Sequence, residues 1–95
     1  MAGYVVLDIN VTDPETFAKY RELAPPAIAA YGGKYLARGG TAEVLEGSWA
    51  PNRIVILEFP TAEHAKQWLE SAEYRDARAL RHAAAKTDAI VVQGL

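Results

Sequence analysis

Few side chains in this sequence are placed to do chemistry. They are one arginine among small residues, Arg38, two carboxylates within apolar runs, Asp8 and Glu58, and the two histidines, His64 and His82. Along an extended chain, side chains alternate between two faces, so Asp8 shares a face with Tyr4 and Val6, and Glu58 shares one with Ile54 and Ile56. If Arg38 projects from that same face, one cation and two carboxylates meet near the sheet surface or a subunit seam. A desolvated carboxylate beside a cation is a proton shuttle with a perturbed pKa. An unpaired Arg38 would instead grip a substrate carboxylate through its two-pronged guanidinium. The plain structural alternative is an ion-pair network that fixes strand register. A guanidinium cannot shed its proton to escape burial, so Arg38 is expected to be partly buried and paired with Glu58 or Asp8.

A general base would come from His64 or His82. Both lie in helical patterns, where either can equally face solvent. His82 stands in a basic stretch with Arg75, Arg78 and Arg81, and like charges there should lower its pKa. That stretch could hold an anionic ligand, but Glu70, Glu73 and Asp76 are interleaved with it, which also describes a charge-balanced, hydrated helix face. The histidines stand 18 positions apart (82 minus 64) without the i, i+4 pairing or third ligand of a zinc site, so no metal is expected. Tyr20, Tyr31, Tyr35, Tyr74, Trp49 and Trp68 could line an aromatic pocket, although most recur at the spacing of core residues. Trp49 is the exception: it sits in a turn, where an exposed indole suits a contact with a neighbouring subunit. No nucleophile elbow, phosphate loop, dinucleotide fingerprint or cysteine centre is present, and no cofactor is expected.

Two function classes remain. The first is a cofactor-free small-molecule enzyme of isomerase or oxygenase type. Its pocket between sheet and helices would be lined by Tyr20, Arg38 and His64, with Arg38 orienting a small, anionic substrate and His64 moving a proton. Asp8 and Glu58 are further candidate substrate contacts. The second is a non-catalytic dimeric module that binds a ligand or serves as a scaffold. A closed cavity of a few hundred Å³ with converging polar groups would favour the first.

The elements that must position these residues follow from periodicity. Tyr4–Val11 alternates and is rich in β-branched residues, predicting a strand. Thr12-Asp13-Pro14-Glu15 carries the cap, proline and acid of a helix start. Phe17, Tyr20, Ala24, Ile28 and Tyr31 continue at helical spacing. Pro25-Pro26 removes two amide donors and should break or kink this helix. Gly32-Gly33 ends it. Lys34–Arg38 reads as a second strand, Gly39-Gly40 as a bulge or bend with Thr41–Glu46 extended after it, and Arg53–Phe59 as a third strand. Thr61 and Ser71 cap two further helices, and Asp88–Gln93 is a last strand. The order β-α-β-β-α-β, with an extra helical segment, is the ferredoxin-like split βαβ pattern: an α+β domain with a four-stranded antiparallel sheet. Right-handed crossovers place the helices on one face of the sheet.

With 95 residues the chain has room for one domain, residues 1–95, and a thin core. Yet 51% of its residues are hydrophobic and no cysteine can staple it, so the bare sheet face is expected to pair two copies into a homodimer. A net charge of −2 disfavours nucleic acid as a partner. No apolar run approaches the ~18 residues of a membrane helix, and the first residues read as a strand rather than a leader, so a cytoplasmic protein is expected.

Several segments in this order and spacing resemble one bacterial family. They are Val11-Thr12-Asp13-Pro14-Glu15, Ala24-Pro25-Pro26, Tyr31-Gly32-Gly33-Lys34-Tyr35-Leu36-Ala37-Arg38-Gly39-Gly40, Val44-Leu45-Glu46-Gly47, Ile56-Leu57-Glu58-Phe59-Pro60, and Trp68-Leu69-Glu70-Ser71 followed by Glu73-Tyr74 and Leu80-Arg81. The family is domain of unknown function 1330, within the dimeric α+β barrel superfamily. The resemblance spans nearly the whole chain, and Gly-Gly-x-x-Leu-Ala-Arg-Gly-Gly is its most specific stretch. It implies a dimer in which two four-stranded sheets close a barrel. It supplies no activity, since the superfamily includes cofactor-free monooxygenases, lactone isomerases, haem enzymes and regulatory modules.

Overall fold

The computed structural model describes all residues from 1 to 95. Its elements are β1 (Gly3–Val11), α1 (Pro14–Ala30), β2 (Lys34–Arg38), β3 (Arg53–Phe59), α2 (Ala62–Leu69), α3 (Ala72–Ala84) and β4 (Ala85–Gln93). The strands form one sheet in the order β2-β3-β1-β4, every neighbouring pair antiparallel. Val5, Leu7 and Ile9 of β1 and Val55, Leu57 and Phe59 of β3 are buried beneath the helices. Their core is completed by Phe17, Tyr20, Ala24 and Ile28 of α1, by Trp68 of α2 and by Tyr74 and Ala77 of α3. Trp68 stacks between Tyr74 and Phe59, with ring centroids 4.3 and 5.3 Å away.

The helix starts are where the capping residues place them. Asp13, Thr61 and Ser71 accept from the backbone amides of Thr16, His64 and Tyr74, satisfying donors that a helix terminus leaves unpaired. Pro25-Pro26 does not break α1, which runs as one helix of 17 residues. The two missing donors would have bonded to the carbonyls of Arg21 and Glu22, both solvent-exposed residues. Water can serve those carbonyls while Ala24, Ala27 and Ile28 stay buried, so packing outweighs the lost bonds.

β4 begins three residues earlier than the pattern suggests, at Ala85. Ala83-Ala84-Ala85 favours helix, but pairing of Val11 with Ala85 and of Asn10 with Lys86 extends the ladder to that point. The amides of Thr12 and Asp13 both donate to the Ala84 carbonyl, fixing the turn from α3 into β4.

The bend expected at Gly39-Gly40 is present, and a separate β-bulge precedes it. The β2–β3 register runs Lys34 to Glu58 and Tyr35 to Leu57, then shifts, so that Ala37 faces Ile56 and Arg38 faces Val55. The irregularity therefore falls at Leu36, ahead of the glycines. Gly39 makes the bend with φ of +74°. Residues 41–46, expected to be extended, form an exposed irregular loop rather than a strand. That loop returns to the sheet at Trp49, whose Nε1 donates to Asp8 Oδ2 at 2.9 Å. The Asn52 amide donates to Asp8 Oδ1, also at 2.9 Å.

Candidate functional site

The shift at Leu36 decides where Arg38 goes. In an unbroken strand Arg38 would share a face with Lys34, and Lys34 lies on the open side of the sheet, paired with Glu58 at 3.1 Å. One extra residue reverses the alternation, and Arg38 turns to the helix side beside Val55. The expected meeting of Arg38 with Asp8 and Glu58 therefore does not occur. Arg38 is exposed, makes no ion pair, and lies 4.7 Å from the centroid of the Tyr35 ring. Asp8 is held by Trp49 and Asn52, and hydrogen bonds from the Asn52 backbone and the Trp49 indole lower its pKa. Hydrogen bonding to Lys34 and Tyr4 lowers that of Glu58.

Arg38 instead stands at the mouth of a narrow cleft between α1 and the β2–β3 edge, together with Phe17, Tyr20, Arg21, Tyr35 and Arg53. Its free volume is about 20 Å³, room for one water. Three guanidinium groups border this cleft, and none has a carboxylate within ion-pairing distance. Arg53 Nε is buried without a hydrogen-bond partner, and its guanidinium carbon lies 5.7 Å from the Phe17 ring centroid. Burial lowers the Arg53 pKa, and the charges of Arg21 and Arg38 lower it further. A β-carbon on Gly39 would overlap the Arg53 guanidinium, which packs against the bare backbone of this bend.

Behind the cleft lies a buried polar chain. The hydroxyls of Tyr20 and Tyr74 are 2.8 Å apart, and Arg81 Nε donates to the Tyr74 hydroxyl at 3.4 Å. Arg81 is only 5% exposed and has no acidic partner, which is unusual for a charge. Burial, reinforced by Tyr74, raises the Tyr20 pKa far above that of a free phenol. Burial also raises that of Tyr35, against the opposing effect of Arg38. Both phenols are neutral donors at physiological pH.

Of the remaining candidates, His64 lies away from the cleft, exposed in the first turn of α2. Its Nδ1 is 2.7 Å from Thr61 Oγ1. His82 borders an open hollow of about 460 Å³ on the outer face of α3, with Glu70, Ser71, Arg75 and Arg78. Arg78 contacts Glu70 at 3.4 Å and Arg75 contacts Asp76 at 3.5 Å, so this face is balanced in charge. The His82 pKa is lowered, first by desolvation and then by Arg81 and Arg78.

The structure thus joins Tyr20 and Arg38 but not His64, and it adds Arg21 and Arg53, which the sequence reading passed over. Both carried a signal. Arg53 is in phase with Val55, Leu57 and Phe59, and Arg21 falls four residues after Phe17 and three before Ala24, beside the buried stripe of α1.

The class is therefore a ferredoxin-like α+β protein with a cationic, tyrosine-floored cleft at the helix–sheet edge. The chain belongs to the family described as domain of unknown function DUF1330, whose model matches residues 2–95. No curated protein matches it significantly. Among solved structures it is similar to a protein of unknown function from Rhodopseudomonas palustris. Their identity is 20%, the TM-score is 0.80, and 99% of this chain and 82% of that one are covered. It is also similar to SnoaB, a cofactor-independent oxygenase from Streptomyces nogalater. Here identity is 11%, the TM-score is 0.64, and coverage is 99% and 92%. A third is a dimeric ferredoxin-like protein of unknown function from Thermobifida fusca, at 9% identity, TM-score 0.59, and coverage of 99% and 92%.

Proposed function

We propose that this protein is a homodimeric binding protein for a small, partly aromatic carboxylate, which enters the α1–β2–β3 cleft by its charged end. The observation that carries this reading is the trio Arg21, Arg38 and Arg53, which border one cleft with no carboxylate to neutralise them. Guanidinium groups left unpaired, that of Arg53 also partly desolvated, favour an anion, and a planar carboxylate matches their fork. Phe17, Tyr20 and Tyr35 offer aromatic surface to the body of such a ligand. The cleft as it stands admits only a water-sized body, so Arg38, free of any ion pair at the mouth, must swing aside on binding.

The homodimer reading rests on the opposite face of the sheet. Val6, Ile54, Ile56, Ile90 and Val92 lie there uncovered by any helix. A groove of about 750 Å³ runs between this face and Val44, Leu45 and Trp49 of the loop. An apolar area of this kind is normally closed by another subunit, and the Thermobifida fusca protein with this fold is dimeric. Size exclusion with light scattering should give about twice the 10.3 kDa chain mass. A clean monomer would remove this part of the proposal.

Benzoate and its neutral counterpart benzyl alcohol test the cleft. Saturating benzoate should stabilise the wild type, by about 2.7 kcal/mol at a hundred times its dissociation constant, while benzyl alcohol should not. Arg53→Gln should abolish the difference. Equal responses to the two compounds would refute an anion site.

A catalytic reading is favoured by one feature. Neutral tyrosine donors beside guanidinium groups could stabilise an enolate or other oxyanion, as a cofactor-free isomerase or oxygenase requires. SnoaB, with the same fold, is such an oxygenase. Against this, the cleft of one protomer contains neither histidine nor carboxylate, so a proton acceptor would have to come from the substrate or the second subunit. Oxygen uptake or isomerisation that tracks Tyr20 and Arg53 variants would establish it.

A further inference from the structure

We propose that Arg81 fixes the direction of the buried hydrogen-bond chain, so that Tyr20 presents its hydroxyl proton to the acceptor oxygen of a ligand in the cleft. This rests on the anion-binding reading above and assigns the contact at the inner end of the same site. Arg81 is the positioning residue and Tyr20 the ligand-contacting one.

The direction follows from counting protons. A guanidinium only donates, and a phenol carries one proton while accepting at its oxygen. Arg81 Nε faces the Tyr74 hydroxyl oxygen at 3.4 Å. The contact is long, but the charge still repels the Tyr74 proton and turns it away. The only other polar partner of the Tyr74 hydroxyl is the Tyr20 hydroxyl, 2.8 Å away. Tyr74 is 0% exposed, so no water can take its proton, and an unpaired buried donor is costly. Tyr74 must therefore donate to Tyr20.

Tyr20 then accepts from Tyr74 and keeps its own proton without a partner, since its hydroxyl makes no other hydrogen bond. Its side chain lines the cleft. Tyr74 and Tyr35 are near enough to raise the Tyr20 pKa, and Tyr74 is near enough to raise that of Tyr35, which places the chain at the end where Tyr35 and Arg38 also stand. The positive charge of Arg81 behind the relay strengthens Tyr20 as a donor. A ligand oxygen at this point would accept from Tyr20 while arginines hold the rest of its charge. The chemistry selected is a carboxylate, or a carbonyl beside one, and an ammonium or hydroxyl donor at that position is disfavoured.

The test has one arm without a ligand and one with benzoate. In protein labelled at tyrosine, proton NMR of the free wild type should show a slowly exchanging Tyr74 hydroxyl resonance with cross-peaks to the Tyr20 ring. The Tyr20 hydroxyl should exchange fast, then become slow and shift downfield when benzoate is added. Tyr20→Phe should weaken benzoate about tenfold. Arg81→Gln should weaken it less and remove the protected Tyr74 signal. A slow hydroxyl belonging to Tyr20 and donating to Tyr74 in the free protein overturns the proposal whether or not benzoate binds. Benzoate binding equally well to wild type and Tyr20→Phe overturns the contact but leaves the anion site standing. A chain running as derived, in a protein that binds no benzoate, overturns the anion site and the ligand role of Tyr20 together.

Discussion

Replacing Arg81 with methionine should make this protein more stable. A cation removed from water carries an effective penalty of several kcal/mol, normally recovered from a close counter-ion and full hydrogen bonding. Arg81 is 5% exposed, has no carboxylate within 4.0 Å and makes one long hydrogen bond, to Tyr74. Methionine keeps an apolar stem of similar length and removes the charge. The Tyr74 hydroxyl retains its bond to Tyr20, so no polar group is stranded. Losing the Arg81–Tyr74 bond costs about 1–2 kcal/mol and losing the desolvation penalty returns more, for a net gain of about 1–3 kcal/mol. In a chain of this length each kcal/mol moves the melting temperature by roughly 4–8 °C. Urea unfolding at fixed protein concentration, with an unchanged slope, isolates the effect from dimer mass action. Arg81→Lys should fall below the wild type, because an ammonium is more strongly hydrated than a guanidinium. Arg81→Met less stable than wild type by more than about 1 kcal/mol would show that the cation is compensated in a way this reasoning misses.

Arg38→Ala should leave stability within about 0.5 kcal/mol, since the side chain is exposed and unpaired, while benzoate affinity falls about tenfold. The Asp8 latch should hold until the pH falls below the ordinary carboxylate range. The folded-state pKa is depressed, so the contribution is present above the unfolded value of 3.8 and lost as the pH drops through the folded one. Acrylamide quenching of Trp49, read as the difference between wild type and Trp49→Phe, should rise there, and should already be high at pH 7 in Asp8→Ala. Gly3→Ala would bring a β-carbon to 2.5 Å from the backbone of Ala62, an overlap expected to cost roughly 1–3 kcal/mol by chemical denaturation.

Periodicity and capping chemistry made most of the fold legible. The alternation in β1 and β3 identified the buried faces, and Asp13, Thr61 and Ser71 marked three helix starts, because these signals depend on neighbours within one turn. The misreadings came where a distant contact overrode a local preference. α1 passes through Pro25-Pro26 because its inner residues pack while the deprived carbonyls face water. β4 starts at Ala85 because β1 was there to pair with it.

The site was harder to read for a related reason. The groups first singled out, Asp8 and Glu58, are carboxylates on strands, and such groups find donors easily: a loop indole and amide for one, Lys34 for the other. The groups that remain unsatisfied are arginines, and where they point depends on a one-residue shift at Leu36 that alternation alone does not reveal. That shift takes Arg38 away from the carboxylates of the open face and joins it to Arg21 and Arg53. The sheet thus separates its charges. Acids and their partners lie on the open face and uncompensated cations lie on the helix side. Such separation works against stability, and selection for fold alone gives no reason to keep it. An anion that arrives from outside gives one.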